Sequence, residues 1–116
     1  MSVEARGKKI LLVSYDPHAS GTLAAMLRER GHVVREVRTA EDGKETLSVF
    51  APDVAVMDVE LPGLPGDVFA VFLKHRFPTV RIVLLSSQAL EAVAGTQVFR
   101  KPVAPEVLLK SILDGN

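Results

Sequence analysis

Three side chains far apart in this chain could together manage a phosphoryl group: the carboxylate of Asp58, the hydroxyl of Ser86 and the ammonium of Lys101. A carboxylate can attack phosphorus and form an acyl phosphate. An ammonium pairs with phosphoryl oxygens as a compact point charge. A hydroxyl donates a hydrogen bond to another of those oxygens. An anionic nucleophile repels an anionic donor, and a divalent cation bridging the two is the usual remedy. The chemistry requires that all three groups reach one edge of the fold.

The elements around them are suited to that. Val54-Ala55-Val56-Met57 runs straight into Asp58, and a Pro/Gly-rich loop, Leu61-Pro62-Gly63-Leu64-Pro65-Gly66, follows. A short continuous apolar run reads as a strand buried on both faces, which is the habit of parallel sheets. Ile10 to Val13, Val33 to Val37, Val80 to Leu85 and Thr96 to Phe99 read as further strands. The fourth of the five ends in Ser86-Ser87 and the last in Arg100-Lys101-Pro102.

Helical signals alternate with these runs. Asp16-Pro17 opens a helix with Ala19, Leu23, Met26, Leu27 and Arg30 at helical spacing, and Gly31 stops it. Thr39 followed by Asp42 is a capping-box-like start, with Leu47, Phe50 and Ala51 as the apolar face and Pro52 as the end. Val68, Phe69, Phe72 and Leu73 mark a helix closed by Pro78; Pro105 starts the last, with Val107, Leu108, Ile112 and Leu113 inward. Repeated strand–helix alternation predicts an α/β, flavodoxin-like, doubly wound parallel five-stranded sheet of order 2-1-3-4-5, with helices on both faces. In such sheets ligands bind outside the carboxyl ends of the strands. Those ends carry Ser14-Tyr15-Asp16, Asp58, Ser86 and Lys101.

With these residues in place, the chain resembles the response-regulator receiver domains of two-component signalling over residues 9 to about 114. The matching pieces are Asp58-Val59-Glu60-Leu61-Pro62-Gly63 with Gly66 downstream, the Ile82-Val83-Leu84-Leu85-Ser86 strand end, and Lys101-Pro102. The resemblance implies Asp58 as phosphoacceptor, Ser86 as the hydroxyl that follows the phosphoryl group, and Lys101 as the phosphoryl-pairing lysine. It implies an output surface around the family's fourth helix, fifth strand and fifth helix. It also implies a histidine kinase or phosphotransfer protein as donor, and an output domain or partner protein as reader.

Three departures bear on mechanism. The family usually has two adjacent acidic residues at the end of the first strand, one a direct magnesium ligand; here Ser14 and Tyr15 stand there. Asp16 falls one residue late and doubles as a helix N-cap candidate. Asp58 and the backbone carbonyl of Glu60 remain as magnesium donors, so weakened Mg2+ binding is expected. Val98 stands where an aromatic residue is expected three positions before the lysine. Finally, Gln88 to Gly95 must connect two parallel strands, where a crossover normally needs at least about 10–12 residues. The fourth helix is expected to be cut to a turn or two, or lost.

Composition bounds the alternatives. The chain has 116 residues, 47% of them hydrophobic, with Lys+Arg 14 against Asp+Glu 14. That is a one-domain length, read as a polar tail over residues 1–8 and a receiver domain over 9–116. Eight basic and nine acidic residues precede the end of the central strand, and six and five follow, so direct nucleic-acid binding is not expected. No cysteine is present, which excludes disulfides and thiolate metal sites. No apolar run reaches the roughly 18 residues of a membrane span, and the start lacks a signal-peptide core. A cytoplasmic monomer or weak homodimer is expected.

Each site residue also has a plain structural reading. Asp58 could start a turn, Ser86 could bond local backbone, and Lys101 could be solvated. Tyr15 is expected to pack with its hydroxyl at the surface, and His18, His32 and His75 to be surface residues. Two functions stand side by side: a receiver phosphorylated on Asp58, and a phosphorylation-independent pseudo-receiver acting as a protein-interaction module. A flavin-type binder lacks a Gly-rich loop after the first strand and has no Trp, so no organic cofactor is expected. No acid/base pair or nucleophile–histidine arrangement points to a stand-alone enzyme; at most the domain catalyses its own phosphorylation and dephosphorylation at Asp58.

Overall fold

The computed structural model describes residues 7–91, 93 and 95–114. Its strands are β1 (Lys9–Val13), β2 (Val33–Val37), β3 (Val54–Asp58), β4 (Arg81–Ser86) and β5 (Thr96–Arg100). Its helices are α1 (Pro17–Glu29), α2 (Ala40–Thr46), α3 (Gly66–Arg76) and α4 (Pro105–Asp114). All strands pair in parallel in the order β2-β1-β3-β4-β5, as the alternation of elements requires. Among the described residues no helix is long and apolar enough to cross a membrane.

Strand alternation divides the core into two. Leu11, Val13, Ala55, Met57, Ile82 and Leu84 face α2 and α3, where Phe69, Ala70 and Leu73 meet them. Ile10, Leu12, Val54, Val56 and Val83 face the other way, against Leu23, Ala24 and Leu27 of α1 and Leu108, Leu109 and Ile112 of α4. β3 is buried along its whole length, so Asp58 is carried out to the sheet edge on a strand with no exposed residue.

Several sequence expectations need correction. α1 buries Ser20 and Ala24 rather than Ala19, because the Ser20 hydroxyl finds partners: it donates to Glu36 Oε1 (3.0 Å) and accepts from Arg38 Nη1 (2.9 Å). α2 ends at Thr46, well before Pro52, and Ala51 is exposed. Its end carries Thr46, Ser48 and Val49, all weaker helix formers than Ala or Leu, and the Ser48 hydroxyl donates to the Glu45 carbonyl instead (2.9 Å). Leu47 and Phe50 are buried as expected. Val68 and Phe72 of α3 and Val107 of α4 point outward, with Ala70 and Leu109 taking inward places.

His32 is not a plain surface residue. It is half-buried, and its Nδ1 accepts the Lys8 amide (2.9 Å). Burial and the positive charges of Lys8 and Arg30 hold its pKa below the ordinary value. Of the polar stretch expected over residues 1–8, residues 1–6 lie outside the described residues. Lys8 is tied down, its carbonyl accepting the Val33 amide (2.9 Å).

The crossover between β4 and β5 contains no helix among its described residues, the outcome its length suggested. Leu90 and Val93 pack on the core there, beside Val98. The Val93 carbonyl accepts both the amide and the hydroxyl of Thr96 (3.0 and 2.7 Å).

Gly66 explains why the loop after β3 must end in glycine. Its amide donates to the Val59 carbonyl (2.9 Å), which brings the first residue of α3 against the end of β3. A Cβ here would run into the Asp58 carbonyl oxygen, and rigid backbone cannot yield as a side chain can. Gly66→Ala is expected to lower stability by roughly 1–3 kcal/mol, the range for overpacking. Urea unfolding measures this, and an unchanged midpoint would show that the contact is not tight.

Candidate functional site

Asp58 and Lys101 meet. Lys101 Nζ lies 3.2 Å from Asp58 Oδ1, with the Asp58 residue only 7% exposed. The β5 end is held beside the β4 end by the Lys101 amide, which donates to the Ser86 carbonyl (2.8 Å). The Lys101–Pro102 peptide is cis. Asp58 continues the strand row that faces α1 and α4. It lines a cavity of about 470 Å3 together with Ser14, Asp16, Ser20, Lys101 and Val103. The carboxylate is thus sheltered by the sheet yet open on one side to a small donor group.

Ser86, the hydroxyl expected to follow the phosphoryl group, is engaged by Glu60 in this structure. It is 1% exposed, and its Oγ donates to Glu60 Oε2 at 2.6 Å while accepting the Gln88 amide at 3.1 Å. No hydrogen bond joins it to Asp58 among the described residues. The Glu60 side chain is the participant that sequence reasoning missed, having considered only its backbone carbonyl. Glu60 Oε1 accepts both the amide (2.9 Å) and the hydroxyl (3.2 Å) of Ser87. Burial alone would raise the Glu60 pKa. The hydrogen bonds from Ser86 and Ser87 and the nearby Lys101 charge outweigh it, holding this carboxyl below its ordinary value. A carboxylate two residues beyond Asp58 and a pair of serines at the next strand end were the available signal.

The end of β1 is organised without an acidic pair. The Asp16 carboxylate caps α1, accepting from the amides of His18 (3.0 Å) and Ala19 (3.5 Å). Ser14 Oγ accepts the Asp16 amide (3.2 Å), and the Ser14 carbonyl accepts from Arg38 Nη1 (3.0 Å). Arg38 also faces Glu36 at 3.6 Å, and Glu36 pairs with Arg28 at 3.2 Å. Tyr15 is 61% exposed, as expected of a surface residue. Among the described residues, no three carboxylate or imidazole groups converge on one point. Magnesium prefers octahedral oxygen and releases its waters reluctantly. One paired carboxylate, one capping carboxylate and a guanidinium hydrogen-bonded to Ser14 do not fit a tightly held ion.

The comparisons with known proteins agree with this fold. The profile of the response regulator receiver domain matches residues 10–113. Protein PilH of Pseudomonas aeruginosa is 34% identical over 113 residues, covering 90% of this chain and 93% of that protein. Transcriptional activator protein ExaE of Pseudomonas putida is 32% identical over 113 residues, 89% of this chain but 52% of that protein. A CheY-like receiver domain protein from Methanospirillum hungatei superposes with a TM-score of 0.86 at 23% identity, over 93% of this chain and 92% of that one. The chain belongs to the response-regulator receiver-domain family, a family of signalling modules rather than conventional enzymes.

Two outcomes follow from the site. Replacing both residues that stand in the family's acidic positions, Ser14→Asp with Tyr15→Asp, is expected to tighten magnesium binding, read as amide shifts around Asp58 on titration. Equal affinity in both chains would mean that the β1 end does not limit the ion. The second concerns pH. Because folding depresses the Glu60 pKa, its contribution to stability is complete above the ordinary value of 4.5 and is lost as pH falls through the depressed one. Glu60→Gln should flatten the acid limb of the stability–pH curve, and an unaltered limb would assign that slope to other carboxylates.

Proposed function

We propose that this domain accepts a phosphoryl group on Asp58 from a partner kinase's phosphohistidine or from a phosphotransfer protein, and passes the change to an output domain or partner protein. The observation that carries the reading is the Lys101–Asp58 contact of 3.2 Å at the open carboxyl edge of a parallel sheet. In the step, an Asp58 carboxylate oxygen attacks phosphorus and the bond from phosphorus to the donor nitrogen breaks. The donor imidazole leaves with that electron pair and is reprotonated, and an acyl phosphate forms on Asp58. Lys101 offsets the charge of the transferring phosphoryl oxygens. No step is assigned to magnesium, which Asp58, the Glu60 carbonyl and a released Asp16 would hold at most weakly. A cytoplasmic location follows from the same reading, since phosphorelay partners of this kind act there.

The second reading is a pseudo-receiver that binds its partner without phosphate. Ser14 and Tyr15 in place of the acidic pair favour it, as does the committed hydroxyl of Ser86. Incubation with acetyl phosphate and millimolar magnesium, followed by mass spectrometry, decides between the two. Asp58 should gain one phosphoryl group, and Asp58→Asn should gain none. Lys101→Met should be labelled at least about tenfold more slowly, as expected for loss of one charged stabilising contact. An unlabelled wild-type chain that still binds its partner would establish the pseudo-receiver.

A further inference from the structure

A serine hydroxyl has one proton to give. In this chain that proton goes to Glu60, across 2.6 Å. The Ser87 amide, the next donor at the β4 end, also goes to Glu60. The Gln88 amide donates back onto the Ser86 hydroxyl oxygen. One anionic side chain therefore gathers the donors that a phosphoryl group on Asp58 would have to recruit from β4. The bonds are charge-assisted, and charge-assisted bonds to a carboxylate are about twice as strong as neutral ones.

We infer that Glu60 is an intramolecular anion that holds the β4 end and the first residues of the crossover in their anion-bound arrangement before any phosphoryl group arrives. A phosphoryl group must then displace Glu60 to be read by Ser86. Two effects oppose it: the hydroxyl proton is already committed, and a second anion beside Lys101 meets like-charge repulsion. Glu60 acts through Ser86 and Ser87 and is a positioning residue. The holding action is independent of phosphotransfer, whereas the displacement rests on the proposed role of Asp58.

The two parts are tested separately. Amide hydrogen exchange on the unphosphorylated protein reads the holding action directly. Glu60→Ala should accelerate exchange at Ser87 and Gln88 by roughly tenfold or more, the weight of one charge-assisted bond. Glu60→Gln, which keeps the shape, should give a smaller acceleration, and Asp58→Asn should give none. Unchanged exchange in Glu60→Ala would overturn the inference.

Labelling of Asp58 by acetyl phosphate reads the displacement. Glu60→Ala should be labelled several-fold faster than wild type, and equal or slower labelling would overturn the displacement. If neither chain is labelled, the phosphoacceptor reading fails. Accelerated exchange at Ser87 in Glu60→Ala would then still support the intramolecular anion. Circular dichroism on each variant separates these effects from a loss of fold.

Discussion

A carboxylate that ends a fully buried strand has to be held in place from outside the strand. Asp58 is 7% exposed and stands at the end of β3, which has neighbours on both edges and helices on both faces. An isolated buried charge is costly unless it is paired. Here the partner is Lys101, 3.2 Å away, delivered from the end of β5, a strand that does not pair with β3. The pairing works only because β4 lies between them in register, with Asp58 opposite Leu85 and Ser86 opposite Arg100. The backbone bond from the Lys101 amide to the Ser86 carbonyl extends that register by one step. The position of the reactive carboxylate is therefore a property of three strands together.

The loop that leaves β3 meets a second constraint. It must turn back within a few residues so that α3 can cover the sheet, and this is what presses Gly66 onto the Asp58 carbonyl. Gly63 supports the turn with a positive φ of 78°. Glu41 braces the loop from α2 by accepting the Leu64 amide (3.3 Å). Glu60 lies on this same short loop, so its carboxylate is presented to β4 by backbone that has little freedom to move away. The rigidity that positions Asp58 also positions its neighbour.

The parts of this design that depend on burial were legible from residue order. Short apolar runs separated by helical patterns dictated the sheet, and Asp58 and Lys101 could be paired because each closes a strand. What escaped the sequence was decided by polar partners across the fold. Periodicity could not reveal that Ser20 turns inward, because Glu36 and Arg38 lie on and just after β2. The early end of α2 reflects local competition from Ser48, which a reading focused on Leu47, Phe50 and Pro52 overlooks. Glu60 was considered only for its carbonyl, since nothing in spacing alone tells a solvated glutamate from one captured by two serines. Asp16 was open to two roles, and its bonds to the His18 and Ala19 amides identify it as a cap.

The crossover from β4 to β5 has a mechanical consequence. Near one end the Ser87 amide is fastened to Glu60, and near the other Thr96 is fastened to the Val93 carbonyl. A helix in this position could swing as a rod and carry a signal by changing its angle. The described residues of this crossover form no helix and offer no such lever. Its two ends are fastened to the β4 rim and to the start of β5, so a shift at the rim would reach the outermost strand through covalent backbone and not through a turning rod.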